Sequence, residues 1–186
     1  MKIIAGVDEV GRGSLIGPVY ASAVILKRSI NPKLLKDSKS LSKKKREYLC
    51  DYIKKNSTWS IGKASVKEIE NLNILQASLL AMKRAITKLK KKPTHVLVDG
   101  NKIPELENYN LKSVIKGDKK IPSISAASII AKVSRDKFVT ALSKKNKGYG
   151  WDKNFGYGTK QHFKALKKLG ITKHHRKTFS PISNIN

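Results

Sequence analysis

The stretch Ile3-Ile4-Ala5-Gly6-Val7-Asp8-Glu9-Val10-Gly11-Arg12-Gly13 places the tightest condition on what this chain can fold into. An apolar run of strand length ends in two adjacent carboxylates and then a Gly-Arg-Gly turn. Burial and mutual repulsion both disfavour two charged carboxylates at the end of a buried strand. At about 4 Å and an effective dielectric near 20, the repulsion is roughly 4 kcal/mol. Two arrangements meet that cost: the strand exits into solvent, or a divalent cation sits between the acids. Alternation along a strand sends Asp8 and Glu9 to opposite faces, so a shared site requires a turn or bulge, which Gly6 and Gly11 permit.

The rest of the chain supplies a sheet for that strand. Gly17 to Leu26 reads as a second strand, close enough to the first for antiparallel pairing. Asn31-Pro32 breaks it, and Asp37-Ser38-Lys39-Ser40 is a loop. Ser42 caps a basic helix running to about Lys55. Thr58 to Val66 alternates as a third strand. Ser65 with Glu68 forms a capping-box pattern. The spacing of Ile69, Leu72, Leu75, Leu79, Met82, Ile86 and Leu89 predicts one buried helical face, closed by three lysines and Pro93. Thr94 to Gly100 is an apolar strand ending in Asp99, and Lys112 to Asp118 repeats that grammar. A small-residue helix from about Ser123 to Leu142 suits close packing on a sheet. Residues 146–158 are a glycine- and aromatic-rich loop, followed by a short helix to Leu169 that Gly170 ends. Strands first, then alternating strand and helix, point to one mixed α/β sheet in a single domain, 1–186.

Four of only 13 acids therefore end apolar strands: Asp8, Glu9, Asp99 and Asp118. Neighbouring strands lie about 5 Å apart, so such acids can converge. Oxygen-only ligands favour Mg²⁺ or Mn²⁺. The chain holds 40 Lys and Arg, a net charge of +27, which points to a polyanionic partner such as nucleic acid or to compositional bias. Two ions beside a basic surface fit phosphodiester hydrolysis. Other chemistries lack their patterns. One Cys and four His show no zinc-ligand spacing, no nucleophile elbow is present, and Gly11, Gly13 and Gly17 miss the dinucleotide spacing. The single Cys50 excludes an internal disulfide. With no signal-peptide or membrane-length apolar run, a cytoplasmic location is expected.

Asp8-Glu9-Val10-Gly11-Arg12-Gly13, Val98-Asp99-Gly100-Asn101, Lys116-Gly117-Asp118 and Ser125 to Val133 together resemble bacterial type 2 ribonuclease H. Asp37-Ser38-Lys39, Gly156-Tyr157-Gly158-Thr159 and His174-His175-Arg176 extend the resemblance over nearly the whole chain, in the family's order. The resemblance implies a ribonuclease H-like fold, a mixed sheet flanked by helices. A small helical and loop part, about 146–186, would close the substrate groove. It implies hydrolysis of the RNA strand of RNA–DNA hybrids and nicking 5′ to single ribonucleotides in duplex DNA, leaving 3′-hydroxyl and 5′-phosphate ends. By position, Asp8, Glu9, Asp99 and Asp118 would be the catalytic acids holding two Mg²⁺ or Mn²⁺ ions. Gly11, Arg12 and Gly13 would meet the 2′-hydroxyl, the group that distinguishes RNA from DNA. Tyr157 would pack on the following deoxyribose, and Lys39 would contact phosphate.

Blander roles stand beside these. Tyr157 as a loop aromatic can cover core, Lys39 is one of many loop lysines, and Ser125, Ser128 and Lys132 can either support the site or serve packing. Gly158 replaces a proline common in the family, which loosens the Tyr157 loop. Neither an N-terminal extension like that of the type 3 enzymes nor a clamp-binding C-terminal motif is recognisable, so a monomer without clamp association is expected. A non-catalytic basic nucleic-acid-binding protein would explain the charge and leave the strand-end acids unexplained. A transposase-like nuclease would share the acids but lack the Gly-Arg-Gly turn with Tyr157.

Overall fold

The computed structural model describes residues 2–35 and 41–184. Five strands form one sheet in the order β3-β2-β1-β4-β5. β1 (Ile4–Val10), β2 (Val19–Leu26) and β3 (Ser57–Ala64) are antiparallel neighbours, whereas β4 (His95–Asp99) and β5 (Leu111–Val114) run parallel to β1. The mixed sheet follows from the connections: β1 and β2 are joined by a short loop, whereas β4 is reached through a helix, as a parallel crossover requires.

Helices cover both faces. α1 (Lys43–Lys55) starts at Ser42, whose hydroxyl accepts from the Lys45 amide, and packs with α4 (Pro122–Lys145) on one face. α2 (Val66–Thr87) covers the other face and begins with a complete Ser65–Glu68 capping box. The small residues of α4 allow very close approach to β1. A Cβ on Gly6 would lie 2.2 Å from the Ile124 nitrogen, so only glycine fits beneath that helix turn. Gly62 does the same for α2, where a Cβ would stand 2.0 Å from the Ala81 carbonyl oxygen.

Three expectations change. α2 is kinked at Asn73 (φ 69°), whose side chain accepts from the Leu75 and Gln76 amides as a new N-terminus. Ile69, Met82, Ile86 and Leu89 of the predicted face are buried, whereas Leu72, just before the kink, is exposed, and Ala77, Ala81 and Ala85 are buried beyond it. β5 stops at Val114, and Asp118 lies in the first turn of α3 (Gly117–Lys120) instead of ending a strand. Lys116 takes a left-handed conformation (φ 56°) where the chain turns between the two. Finally, β1 pairs regularly with β2 as far as Val10 opposite Tyr20, with no bulge at the acids.

The C-terminal segment carries α5 (Trp151–Asn154), within the stretch read as loop, and α6 (Lys160–Leu169), which ends at Gly170 (φ 76°). Both elements share a core with Leu15 and Ile16, just after the Gly-Arg-Gly turn. The joint is backbone to backbone: Leu15 N–H donates to the Gly156 carbonyl (2.8 Å), Arg176 N–H to Leu15 (2.9 Å) and Gly17 N–H to His174 (2.8 Å). Residues 14–17 are thus clamped between segments 156–157 and 174–176, which brings Tyr157 to the end of β1.

Candidate active site

Parallel pairing of β1 with β4 ends at Val7 opposite Val98, and the next residues on the two strands are Asp8 and Asp99. Beyond that point the β4-side edge of β1 is uncovered. A cavity of about 370 Å³ opens there, lined by Asp8, Glu9, Val10, Arg46, Asp99, Ser128, Ile129, Lys132 and Tyr157. The uncovered edge resolves the alternation problem without a bulge. Asp8 and Glu9 leave opposite faces of the strand, yet both border the same opening.

Asp118 does not line this cavity. It is buried beside it, and the turn holding it is tied to Asp99: the Asp99 Oδ1 accepts from the Gly117 amide at 2.7 Å and the Asp118 amide at 3.4 Å. Asp99 is thereby oriented by backbone donors, while Asp118 adds charge behind it. Burial, reinforced by the charges of Glu9, Asp99 and Asp118, pushes the Asp8 carboxyl well above the usual carboxylate range. The Glu9 amide, donating to Asp8 Oδ1 at 2.7 Å, opposes this in part. Burial also raises Glu9, offset by the Arg12 guanidinium at 3.3 Å.

The turn after β1 is shaped from below. Gly11 has φ 92°, and a Cβ there would run into the Arg135 side chain at 2.2 Å, so the glycine is required twice over. Gly13 is exposed with nothing near its Cβ position, which leaves its backbone open to approach. Two fully buried arginines hold this segment by its carbonyls. Arg135 donates to Ile16, Phe155 and Pro18, and Arg176 donates to Arg12 and Gly17. Burial lowers both guanidinium pKa values, that of Arg176 to about 9, which still leaves it charged near neutrality. Above Arg135 lies the Tyr157 ring, 5.6 Å from the guanidinium carbon, with the Lys132 ammonium 5.7 Å from the same ring. Lys132 is itself paired with Asp136 at 3.0 Å.

Of the residues singled out from sequence, Asp8, Glu9, Asp99 and Tyr157 meet at the cavity, with Asp118 buried behind Asp99 and Arg12 paired to Glu9. Lys39 lies outside the described residues. Ser128 and Lys132 line the cavity, whereas Ser125 turns away and donates to the Leu35 carbonyl. Sequence reasoning missed Arg46 and Arg135, and gave Arg176 only as part of a motif, without a role. Arg46 was one cation in a basic helix, and a lone Arg in a lysine-rich chain gives no local sign of burial. Among the described residues, no three His, Cys, Asp or Glu side chains form a ready-made metal cage.

The family model for ribonuclease HII matches residues 5–182, nearly the whole chain. The chain belongs to the ribonuclease HII family. A ribonuclease HII of Pelagibacter ubique is 75% identical over 185 residues, covering 100% of both chains. One of Neisseria meningitidis serogroup B is 49% identical, covering 98% of this chain and 95% of its own. The fold agrees: the ribonuclease H2 of Pyrococcus horikoshii OT3 superposes with a TM-score of 0.81 at 27% identity, over 98% of this chain and 96% of that one. Bst ribonuclease HIII in complex with Mn²⁺ superposes at 0.75 with 18% identity, over 99% of this chain and 69% of the other, and supports the fold alone. As a member of the ribonuclease HII family, the protein is a ribonuclease H, a hydrolase of phosphodiester bonds. Among the described residues no helix is long and apolar enough to cross a membrane.

Proposed function

We propose that the cavity at the end of β1 cleaves the RNA strand of RNA–DNA hybrids and nicks duplex DNA on the 5′ side of single ribonucleotides, leaving 3′-hydroxyl and 5′-phosphate ends. The observation that carries this reading is the convergence of Asp8, Glu9, Asp99 and Tyr157, from distant parts of the chain, on one cavity. Family membership supports the reaction class.

The donor set fits hard divalent cations. Its ligating atoms are all carboxylate oxygens, and burial raises the Asp8 and Glu9 carboxyls, with the nearby acids adding to the shift at Asp8 and the Arg12 cation opposing it at Glu9. Open geometry also suits Mg²⁺ or Mn²⁺, which retain waters and share their coordination with substrate phosphates. Asp8, Glu9, Asp99 and Asp118 would hold the pair of ions. When bound, the ions supply activation of a water nucleophile and stabilisation of the leaving 3′ oxygen.

The remaining roles belong to the chain itself. The backbone of Gly11, Arg12 and Gly13, held by Arg176 at the Arg12 carbonyl, presents polar groups to a 2′-hydroxyl, and its two glycines put no side chain in the way. Tyr157 offers its ring to the deoxyribose that follows. Arg46 and Lys132, bordering the cavity, counter phosphate charge. By its position in the family's motif, Lys39 would contact phosphate too. The C-terminal part, about 146–186, would close the substrate groove.

The deciding experiment uses a DNA duplex with one embedded ribonucleotide, an all-DNA control, and Mg²⁺ or Mn²⁺ present or chelated. Metal-dependent nicking 5′ to the ribonucleotide, with the control intact, is expected. Binding to both duplexes without nicking in either metal would replace this reading with a non-catalytic one.

A further inference from the structure

Tyr157 reaches the cavity from a loop, and its backbone is held by a buried hydrogen-bond chain that the proposed chemistry does not use. His162 and His175 are both fully enclosed, with Trp151 and Tyr149 packed around them. His162 Nδ1 lies 3.0 Å from the Tyr157 carbonyl oxygen, which only accepts, so Nδ1 carries the proton. The Trp151 indole N–H, which only donates, points at His162 Nε2 at 3.0 Å, so Nε2 is the bare nitrogen. The Thr172 amide donates to His175 Nδ1 at 2.8 Å, leaving the His175 proton on Nε2, 3.3 Å from His162 Nε2. The arrangement that serves the Trp151 indole and the Thr172 amide has both rings neutral, His162 protonated at Nδ1 and His175 at Nε2. The one lone pair of His162 Nε2 is shared between Trp151 and His175, and Thr172 Oγ1 also lies 3.0 Å from His175 Nδ1. An added proton on His162 Nε2 would set N–H against the Trp151 N–H.

We propose that His162 is a positioning residue for RNA–DNA junction recognition: its Nδ1–H, locked in place by Trp151 and His175, fixes the Tyr157 carbonyl and so the ring of Tyr157 at the cavity wall. This rests on the reading of Tyr157 given above. The same loop is fixed at its other side by the Ser14–Tyr157 bridge, and His175 pairs with Ile16 in the same way. The relay therefore ties the Tyr157 segment to the loop that follows the Gly-Arg-Gly turn. Burial lowers the pKa of both imidazoles, that of His175 to about 4, with the neighbouring His162 and His174 adding to it, in the direction of the neutral rings that the hydrogen bonds require. His162 is also the N3 residue of α6, its amide donating to the Thr159 cap at 3.2 Å, so the start of that helix sets the ring's height.

Two amide variants separate positioning from bulk packing. In His162→Asn the side-chain NH₂ can take the place of Nδ1 and reach the Tyr157 carbonyl. In His162→Gln the amide sits at the Nε2 end, facing Trp151 and His175, and the Tyr157 contact is lost. Relative to a long RNA–DNA hybrid, His162→Gln is expected to lose about fivefold in kcat/KM at a single embedded ribonucleotide, the scale of one hydrogen bond. His162→Asn is expected to keep the wild-type ratio. Equal ratios in both variants, or equal loss in both, would overturn the proposal. A second measurement needs no variant: long-range ¹H–¹⁵N correlation of the histidine rings in the full chain at neutral pH. Nδ1–H on His162 and Nε2–H on His175 are expected, and an imidazolium or the reverse tautomer at His162 overturns the relay. Failure of the wild-type protein to nick at all would sink the functional reading instead, with the tautomers still legible.

Discussion

Asp8 shares a small volume with Glu9, Asp99 and Asp118, and burial together with those charges holds its carboxyl above the ordinary value. A carboxyl raised on folding binds protons more readily in the folded than the unfolded chain, so folding stability falls as pH rises from the ordinary value through the raised one. Above the raised value that penalty is fully present in the metal-free protein. Asp8→Asn is therefore expected to raise the thermal midpoint in chelator by a few degrees while lowering cleavage by about three orders of magnitude, the scale of losing a principal source of transition-state stabilisation. Affinity for an uncleavable duplex should be retained, and parallel loss of binding and folding would assign Asp8 a structural role instead. Tyr157 is predicted to act on specificity. Tyr157→Ala should weaken nicking at a single ribonucleotide about tenfold more than cleavage of a long hybrid, in keeping with aromatic contacts worth about 1–3 kcal/mol. A uniform loss on both substrates would return Tyr157 to the role of loop cover.

Between β1 and α4 the active acids are held by proximity that only small residues allow. Adding one methyl at Gly6 would drive the Ser123–Ile124 backbone off the strand that carries Asp8. Gly6→Ala is expected to cost about 3 kcal/mol or more, as overpacking against backbone does. The shift should appear in the denaturant midpoint, with cleavage falling alongside it. A midpoint within error of wild type would mean that α4 can slide freely, contrary to the packing described. On the opposite face, α2 is secured across its kink. Glu68 closes the capping box with Ser65 and pairs with Arg84 from the second half of the helix at 2.6 Å. The pairing and cap hold the Glu68 carboxyl at about 2, below its ordinary 4.5, so its contribution is present above pH 4.5 and is lost as pH falls toward 2. Ser65→Ala should destabilise by about 1 kcal/mol, the usual value of a lost N-cap. Calorimetric unfolding at neutral pH would check it, and no change would show that the Arg84 pair suffices alone.

For the molecule as a whole, a net charge of +27 makes affinity for any duplex largely a matter of phosphate contacts. If about six phosphates are neutralised, binding should fall by about 10³-fold between roughly 50 and 200 mM salt. An all-DNA duplex and one carrying a single ribonucleotide should lose affinity in parallel, because the ribonucleotide adds a hydroxyl and no charge. Fluorescence anisotropy across a salt series would measure both. A shallow slope would identify the lysine excess as composition without function, and unequal slopes would mean that junction recognition itself involves charge.

The strand that ends in Asp8 and Glu9, the Ser65 capping box and the small-residue helix over the sheet were legible from the chain alone, because each is a local pattern whose physics acts within a few residues. So was the membership of Asp99 in the acid cluster, since an apolar strand ending in a carboxylate is readable as a unit. Asp118 was identified by its position in a motif, but its helical setting was not, because the turn at Lys116 depends on Asp99 accepting the Gly117 amide from another strand. The kink at Asn73 was hidden for a similar reason: the apolar spacing continues through it, with Met82 and Ile86 buried as predicted, and only contact with the sheet adds the alanines to that face. Arg135 and His162 lay furthest from view, and His175 and Arg176 were visible only as motif residues, not as buried ones. Polar side chains in a basic sequence read as solvated, and the carbonyls and rings that make their burial tolerable come from segments far away in the chain. Local sequence thus determined which groups exist and which elements carry them, whereas tertiary structure decided which of those groups leave water, because burying a polar group depends on partners that only the completed fold supplies.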